Sequence, residues 1–349
     1  MISLCMIVKD EKENLTKCLT SAIPFVDELI IVDTGSTDRT RAIALEFTDK
    51  VYDYKWSNDF SAVRNFSISK ATNDWVLVLD ADEYVSNFVQ GSVYDFTKEK
   101  SNEQIVGRIE RVNILEDSNG DKKCNERISR LFNRKHFRYE GTIHEQIVSK
   151  DGKAYNTVSV DITAYHIGYT KEALNKTNKL KRNMNMLTKA IEDNSNDPYF
   201  YFQLGKTYYL MKDYNTSCSY FEKSLTFELD LRLEYVEDLI ETYGYALINS
   251  ERYSEAMKLE KYLELYSNSA DLHFVMGLIY MNNAKLTQAV ESFLRCTKFP
   301  GSKVEGITTY SSYYNIGVIY DVLGFKENAT KYYTMCGNYE PAIKRLKEK

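Results

Sequence analysis

Residues 75–84 read W-V-L-V-L-D-A-D-E-Y. Five apolar side chains run unbroken from Trp75 to Leu79 and stop at three acids, Asp80, Asp82 and Glu83. An apolar run of this length suits a strand buried on both faces of a parallel sheet. The acids then stand at its carboxyl end, where open α/β sheets hold their ligands. Asp80 and Asp82 alternate there, so a small turn brings both carboxylates round one cation. Hard divalent ions prefer oxygen ligands of this kind and bridge them to substrate phosphates. The chemistry on offer is a metal–diphosphate site. Taken alone, D-x-D fits a polar loop that merely ends a strand equally well.

The elements that must position these acids precede them. An apolar strand over 2–8 meets Lys9, Asp10 and Glu11, and a helix carrying Leu15, Leu19 and Ile23 follows. A second strand over 28–32 ends in D-T-G-S-T-D-R-T at 33–40. Gly35 permits a tight turn, and Ser36 or Thr37 suits the cap of a helix beginning near Asp38. A short third strand over 50–54 and a helix over 60–71, with Arg64 and Asn65, lead to the strand at Trp75. Four strands alternating with helices over the first 80 residues make a nucleotide-binding α/β half. No G-x-G-x-x-G follows the first strand and no G-x-x-x-x-G-K-[ST] occurs, which excludes a dinucleotide fingerprint and a P-loop. Acids at the ends of strands one, two and four remain. They can accept hydrogen bonds from ribose hydroxyls and a base imide N–H, and hold the metal that neutralises a diphosphate.

Past Tyr84 the pattern predicts a helix over 85–100, a half-exposed strand over 105–115, a turn at 117–123, and strands over 127–133 and 158–165. Three of the four histidines, His136, His144 and His166, fall in this stretch; His273 lies later. A length of 349 residues suggests two domains. The net charge of −5 and pI near 5.6 exclude the basic excess of a nucleic-acid binder. Six scattered cysteines, without C-x-x-C, suit a reduced, cytoplasmic chain, with Cys5, Cys218, Cys296 and Cys336 at small core positions. The apolar run at 1–8 is too short for a signal peptide, and no stretch approaches a membrane span.

The second half is helical. A charged amphipathic helix over 171–194 precedes Asp197-Pro198. Glycines 205, 244, 277 and 317 then recur at gaps of 39, 33 and 40 (244−205, 277−244, 317−277). Tyr208, Tyr280 and Tyr320 each follow one of them by three residues. Such a period marks helix–turn–helix units that stack into a solenoid, because no unit buries its own apolar face.

Four motifs in order, M-I-V-K-D-E, V-D-T-G-S-T-D-R-T, F-S-A-V-R-N and L-D-A-D-E, resemble those of family 2 glycosyltransferases of the GT-A fold. The resemblance implies an α/β, Rossmann-like nucleotide-sugar-binding domain over 1–170, a UDP-sugar donor and Mn²⁺ or Mg²⁺. It places Val8 and Glu11 in the nucleoside pocket, Asp33 on the base, and Arg64, Asp80 and Ala81 along the donor. Arg64 also fits a helix-face salt bridge. The metal ligands implied are Asp80, Asp82 and His166, with His144 competing for the last place; a histidine after a strand also fits a core residue bonded to backbone. The family's acceptor-side motif x-E-D reads Ile-His-Glu here, so the base it implies is Glu145.

The glycine-marked units over 198–341 resemble tetratricopeptide repeats. They imply an all-α solenoid over 197–349, joined through a linker over 171–196. Its groove would hold an extended polypeptide; Tyr199, Tyr201 and Tyr209 are candidates to line it, and most aromatics there are core. The pairing of halves is similar to S-glycosyltransferases of glycopeptide bacteriocins and to flagellin glycosyltransferases. It implies inverting transfer to Ser, Thr or Cys of a protein or peptide, with no nucleic-acid partner. A lipid-linked or envelope saccharide acceptor, or a repeat scaffold whose transferase half is inactive, are the alternatives. The sequence leaves open which sugar moves and whether the chain forms a homodimer.

Overall fold

The computed structural model describes residues 1–117, 120–168 and 179–348. The chain divides into two compact units, the first built from Met1–Glu116 and Lys123–Thr177, the second mainly from Asn178–Lys349.

The first unit opens with β1 (Ile2–Val8), β2 (Glu28–Asp33), β3 (Val51–Asp53) and β4 (Trp75–Val78). These alternate with α1 (Leu15–Ala22), α2 (Thr40–Phe47) and α3 (Phe60–Lys70). Six further strands follow: β5 (Glu83–Phe88), β6 (Ile105–Asp117), β7 (Gly120–Asn133), β8 (Phe137–Glu140), β9 (Gln146–Ser149) and β10 (Asn156–His166). Eight strands form one mixed sheet in the order β3-β2-β1-β4-β7-β6-β10-β5, while β8 and β9 pair separately. The first four are mutually parallel, as the alternating pattern predicts, and β7 joins β4 antiparallel.

Alternate residues of the buried strands feed opposite faces. Leu4, Met6 and Leu77 pack with Leu15 and Leu19. Cys5, Val76 and Val78 pack with Ile68, Phe132 and Phe137 on the other side. Near-continuous apolar runs are what a sheet covered on both faces requires. All six cysteines are free, and five of them, including the four assigned to the core, are buried.

The expected helix over 85–100 is half strand. Residues 83–88 form β5, antiparallel to β10, and only Gln90–Lys98 is helical (α4). Glu83 and Val85 are buried while Tyr84 and Ser86 are more exposed, a period of two over the start of the strand. The tip of the β6–β7 hairpin, where a turn is expected, lies partly outside the described residues.

The second unit starts with α5 (Lys179–Asp193), the described part of the helix expected over 171–194. Three helix pairs have the expected form: α6 (Pro198–Leu210) with α7 (Tyr214–Leu225), α10 (Ala270–Asn282) with α11 (Leu286–Cys296), and α12 (Tyr310–Val322) with α13 (Lys326–Met335). The remaining unit departs from it. After α8 (Glu234–Asn249), the partner shrinks to α9 (Tyr253–Ala256), which runs into a tighter 3-10 turn at Met257–Tyr262. A final helix, α14 (Glu340–Lys347), follows the last pair.

The repeated glycines are explained by helix contact. A β-carbon on Gly277 would lie 2.6 Å from the Phe293 ring, and one on Gly317 2.6 Å from the Tyr333 ring. Alanine normally stabilises a helix interior relative to glycine by about 0.5–1 kcal/mol. Here overpacking reverses the sign, because forcing atoms into a filled core costs about 1–3 kcal/mol. Gly277→Ala is therefore expected to lower the urea midpoint of the repeat unit; an unchanged or raised midpoint would contradict this packing.

The connector 297–309 is pinned to α8 and α10. Lys303 Nζ lies 2.6 Å from Asp238 Oδ1 and 3.1 Å from Glu241 Oε2. The backbone N–H groups of Lys303 and Val304 donate to Asp271 at 2.8 and 3.1 Å. Burial pushes Glu241 up to about 8, against the pull of Lys303 and with Asp238, Asp271 and Glu237 adding to the rise. One ammonium shared among several carboxylates does not neutralise them all. The folded chain thus keeps a proton that the unfolded chain releases near 4.5. Stability of this unit should fall as pH climbs from about 4.5 to about 8 and level off above, by linkage. Glu241→Gln should flatten that slope in a series of thermal melts.

Candidate active site

The loops that follow β1 and β2 meet at the carboxyl edge of the sheet. Val8 is the register partner of Asp33. Asp10 N donates to Ser36 Oγ at 3.0 Å, Thr37 N donates to Asp10 Oδ1 at 2.7 Å, and Glu11 N donates to Thr40 Oγ1 at 2.7 Å. Ser36 and Thr37 therefore tie the two loops together and do not cap α2, whose cap position is Arg39. Asp33 is buried at 3% exposure. Its Oδ1 accepts from the N–H groups of Gly35 and Ser36 at 2.8 and 2.7 Å. Gly35, at φ 100°, supplies the left-handed turn that aims those donors. Asp33 Oδ2 has no hydrogen-bond partner among the described residues. A buried acceptor left without a donor costs free energy unless a ligand or water supplies one. The structure thus brings together Val8, Glu11 and Asp33.

The D-x-D acids sit in a turn between β4 and β5 that closes on itself. Glu83 N donates to the Asp80 carbonyl at 3.0 Å, and Asp80 N donates to Glu83 Oε2 at 3.0 Å. Ala81 is buried within it. Asp80 faces two guanidiniums: Arg64 Nη2 of α3 donates to Oδ1 at 2.9 Å and Arg130 Nη2 of β7 to Oδ2 at 2.7 Å. Burial would raise the Asp80 carboxyl; Arg130 and then Arg64 outweigh it and hold the group well below the usual carboxylate range. Glu83 is fully buried and accepts from Arg111 Nη1 at 3.1 Å and Arg130 Nη2 at 3.0 Å. It is a strut of the turn.

Arg64 also donates through Nε to Glu145 Oε1, so one guanidinium spans Asp80 and Glu145. Both readings of Arg64 meet here: it is ion-paired, and its partners are the site's acids. Its Cζ lies 5.5 Å from the Tyr139 ring centre, and burial pushes the Tyr139 phenol up to about 12 despite Arg64 and Arg130. The helix bearing Arg64 is fixed at its start by Asp59, whose Oδ1 accepts from Ala62 N at 2.9 Å. Asn65 exchanges two hydrogen bonds with the Tyr139 backbone, at 2.8 and 2.9 Å. Phe60 N donates to the Thr142 carbonyl at 2.9 Å, joining α3 to the loop 141–145. His144 is in that loop at φ 52°, next to Glu145.

Asp82 faces the other way. Its Oδ2 lies 3.4 Å from His166 Nε2, and His166 Nδ1 lies 2.7 Å from Asn113 Oδ1. A β-carbon on Gly168 would collide with both Asp82 Oδ2 and His166 Nε2, so any other residue there would push the pair aside. The three expected ligands are therefore split: Asp82 and His166 are together, whereas Asp80 serves the arginines. Among the described residues, no group of three or more His, Cys, Asp or Glu is arranged round a common point.

Arg130, Arg111 and Asn113 are site residues that sequence reasoning passed over. Their one signal was polarity at inward positions of the strands over 105–115 and 127–133. No helix among the described residues is long and apolar enough to cross a membrane.

This geometry has a counterpart among known sequences. Residues 3–161 match the profile of glycosyl transferase family 2, and residues 198–230 and 270–300 match that of the tetratricopeptide repeat. The first unit is a family 2 glycosyltransferase domain. The mixed sheet with helices on both faces is its GT-A-like core, and tetratricopeptide-like repeats follow it. A TPR repeat-containing protein of Synechococcus elongatus is 37% identical over 58% of this chain and 51% of its own. The SPbeta prophage-derived glycosyltransferase SunS of Bacillus subtilis is 27% identical over 64% of this chain and 53% of its own. An uncharacterized glycosyltransferase of Rickettsia prowazekii is 31% identical over 51% of this chain and 64% of its own. The chain thus spans about half to two thirds of the length of these relatives. In the family 2 domain, the first and second motifs are the bolted loops after β1 and β2, the third is α3, and the fourth is the 80–83 turn.

Proposed function

We propose that the chain is an inverting, divalent-cation-dependent glycosyltransferase. It moves a sugar from a UDP-sugar to a Ser, Thr or Cys side chain of a protein or peptide that the repeats hold. The observation that carries the reading is the convergence of three acids with distinct surroundings on one sheet edge. Asp33 presents a buried carboxylate oxygen without a donor, suited to a base imide N–H. Asp82 pairs with an imidazole. Glu145 is held by Arg64.

In this reading Val8 and Glu11 enclose the nucleoside and Asp33 reads its base. The residues fit a divalent cation by their donor chemistry: a carboxylate and an imidazole whose second nitrogen is tied to an amide, which is how metal-binding histidines are oriented. Asp82 and His166 would hold the ion. When bound, it would neutralise the departing nucleoside diphosphate. Asp80, fixed by two arginines, keeps the turn in shape and orients the donor. Glu145 takes the acceptor's proton as the acceptor oxygen or sulfur attacks the anomeric carbon. A single in-line displacement inverts that carbon and needs no covalent enzyme intermediate.

Incubation with UDP-sugars, Mn²⁺ or Mg²⁺ and candidate polypeptides, followed by intact-mass spectrometry, tests the reading. A gain of one sugar mass, lost when EDTA is added, is expected. Transfer at full rate in EDTA removes the cation from the reading. Failure to bind or turn over any nucleotide sugar removes the enzyme.

A further inference from the structure

Which nitrogen of His166 donates to Asn113, and which is turned to Asp82, is decided by the side chains behind the ring. The Glu126 carboxylate of β7 can only accept hydrogen bonds. Arg111 donates to its Oε1 through Nε at 3.0 Å and Nη2 at 2.8 Å. Asn113 Nδ2 donates to the same oxygen, and approaches the Cys124 carbonyl at 3.4 Å. Two acceptors on that side of the Asn113 amide demand its NH₂ there, so Oδ1 is turned to His166. An amide oxygen only accepts. The His166 nitrogen at 2.7 Å, Nδ1, must therefore carry the proton. Nε2 is left as the nitrogen directed at Asp82. Asn113 and His166 are 4% and 5% exposed, so bulk water does not compete for these bonds. Arg111 also donates Nη1 to Glu83 at 3.1 Å, so the arm that orients His166 shares its guanidinium with the turn that carries Asp82.

We propose that Asn113, oriented by Glu126 and Arg111, is a positioning residue that holds the His166 ring through the proton on Nδ1 and so directs Nε2 to the Asp82 side, from which a divalent cation would be ligated. The inference rests on the reading that Asp82 and His166 hold that cation. It makes β6 and β7, which follow the nucleotide-binding half, part of the metal apparatus. Outer partners of this kind change metal affinity by about 10- to 100-fold when removed.

Two measurements on the full chain decide it. In the metal-free protein, long-range ¹⁵N–¹H NMR of the neutral His166 ring, assigned with His166→Gln, should show a proton on Nδ1. A ring protonated on Nε2 overturns the inference whether or not any variant folds. Second, Mn²⁺ affinity in the presence of UDP is read from the free-ion EPR signal. Asn113→Ala should weaken it about 10- to 100-fold. The swapped pair Asn113→Asp with Glu126→Gln, which keeps an acceptor toward His166, should recover most of the loss. Wild-type affinity in Asn113→Ala overturns the positioning role and leaves the cation reading intact. Absence of Mn²⁺ binding to the wild-type chain overturns both.

Discussion

Asp82→Asn is expected to reduce sugar transfer by about 10³-fold while leaving the fold intact, the loss typical of removing a preorganised electrostatic contact to developing charge. The amide keeps the shape of the side chain and removes its negative charge. Asp82 is 14% exposed and faces His166 Nε2 at 3.4 Å, so it is the acid of the D-x-D pair turned toward an imidazole and away from the arginines. The same change at Asp80 would act differently, because both Asp80 oxygens accept from guanidiniums. Kinetics with saturating UDP-sugar, together with circular dichroism of both variants, separate the two. For Asp82→Asn, kcat should fall with secondary structure unchanged. For Asp80→Asn, the melting temperature should fall as well. Near-normal turnover in Asp82→Asn would remove this carboxylate from the chemistry.

The second large effect is on stability. Arg130→Met should destabilise the first unit by roughly 3 kcal/mol, because breaking a buried pair leaves its partners charged and dry. One Arg130 nitrogen answers both Asp80 and Glu83. Glu83 has no exposed side-chain surface, so its carboxylate cannot turn to water. The loss stays at the lower end of the range for such pairs for two reasons. Arg111 still donates to Glu83, and the Asp80 side chain is 31% exposed. Calorimetry should show a lowered transition for the first unit. Glu83→Gln placed on Arg130→Met should restore part of the loss by removing the stranded charge. If the single variant melts like the wild type, the turn is held by something other than these pairs.

Much of the fold could be read from the residues because the buried strands are written plainly. The apolar runs at 4–8, 29–32 and 75–79 suit strands covered on both faces, and the loops after them carry glycine and acids where the sheet ends. The failure at 85–100 has a physical source. Residues 83–88 become a strand only because β10, some 70 positions later, offers its edge, and no local pattern records that pairing. The repeats were legible through their glycines, since Gly205, Gly277 and Gly317 each meet an aromatic ring of the partner helix. The weakened unit between α8 and α10 was less so, because Gly244 packs instead against Val275 and Leu259.

At the site, the sequence supplied the acids and one counterion, Arg64, and missed the others. Asp33, Asp80, Asp82 and Glu145 stand out because acids at strand ends and beside glycines are conspicuous. Arg130, Arg111 and Asn113 sit on long strands among alternating residues, where an arginine ordinarily faces solvent. Their inward direction follows from β7 lying against β4 and β6 against β10, facts of topology. The pairing of Asp80 with Asp82 as ligands could not take in the two guanidiniums that face Asp80.

A crystal of the chain grown with UDP and Mn²⁺, with data collected at the manganese absorption edge, puts the whole account at risk in one map. An anomalous peak is expected within bonding distance of the Asp82 carboxylate and His166 Nε2, with the uracil ring against Asp33 Oδ2. A peak shared by neither side chain, or a nucleotide bound away from the ends of β1, β2 and β4, would contradict it.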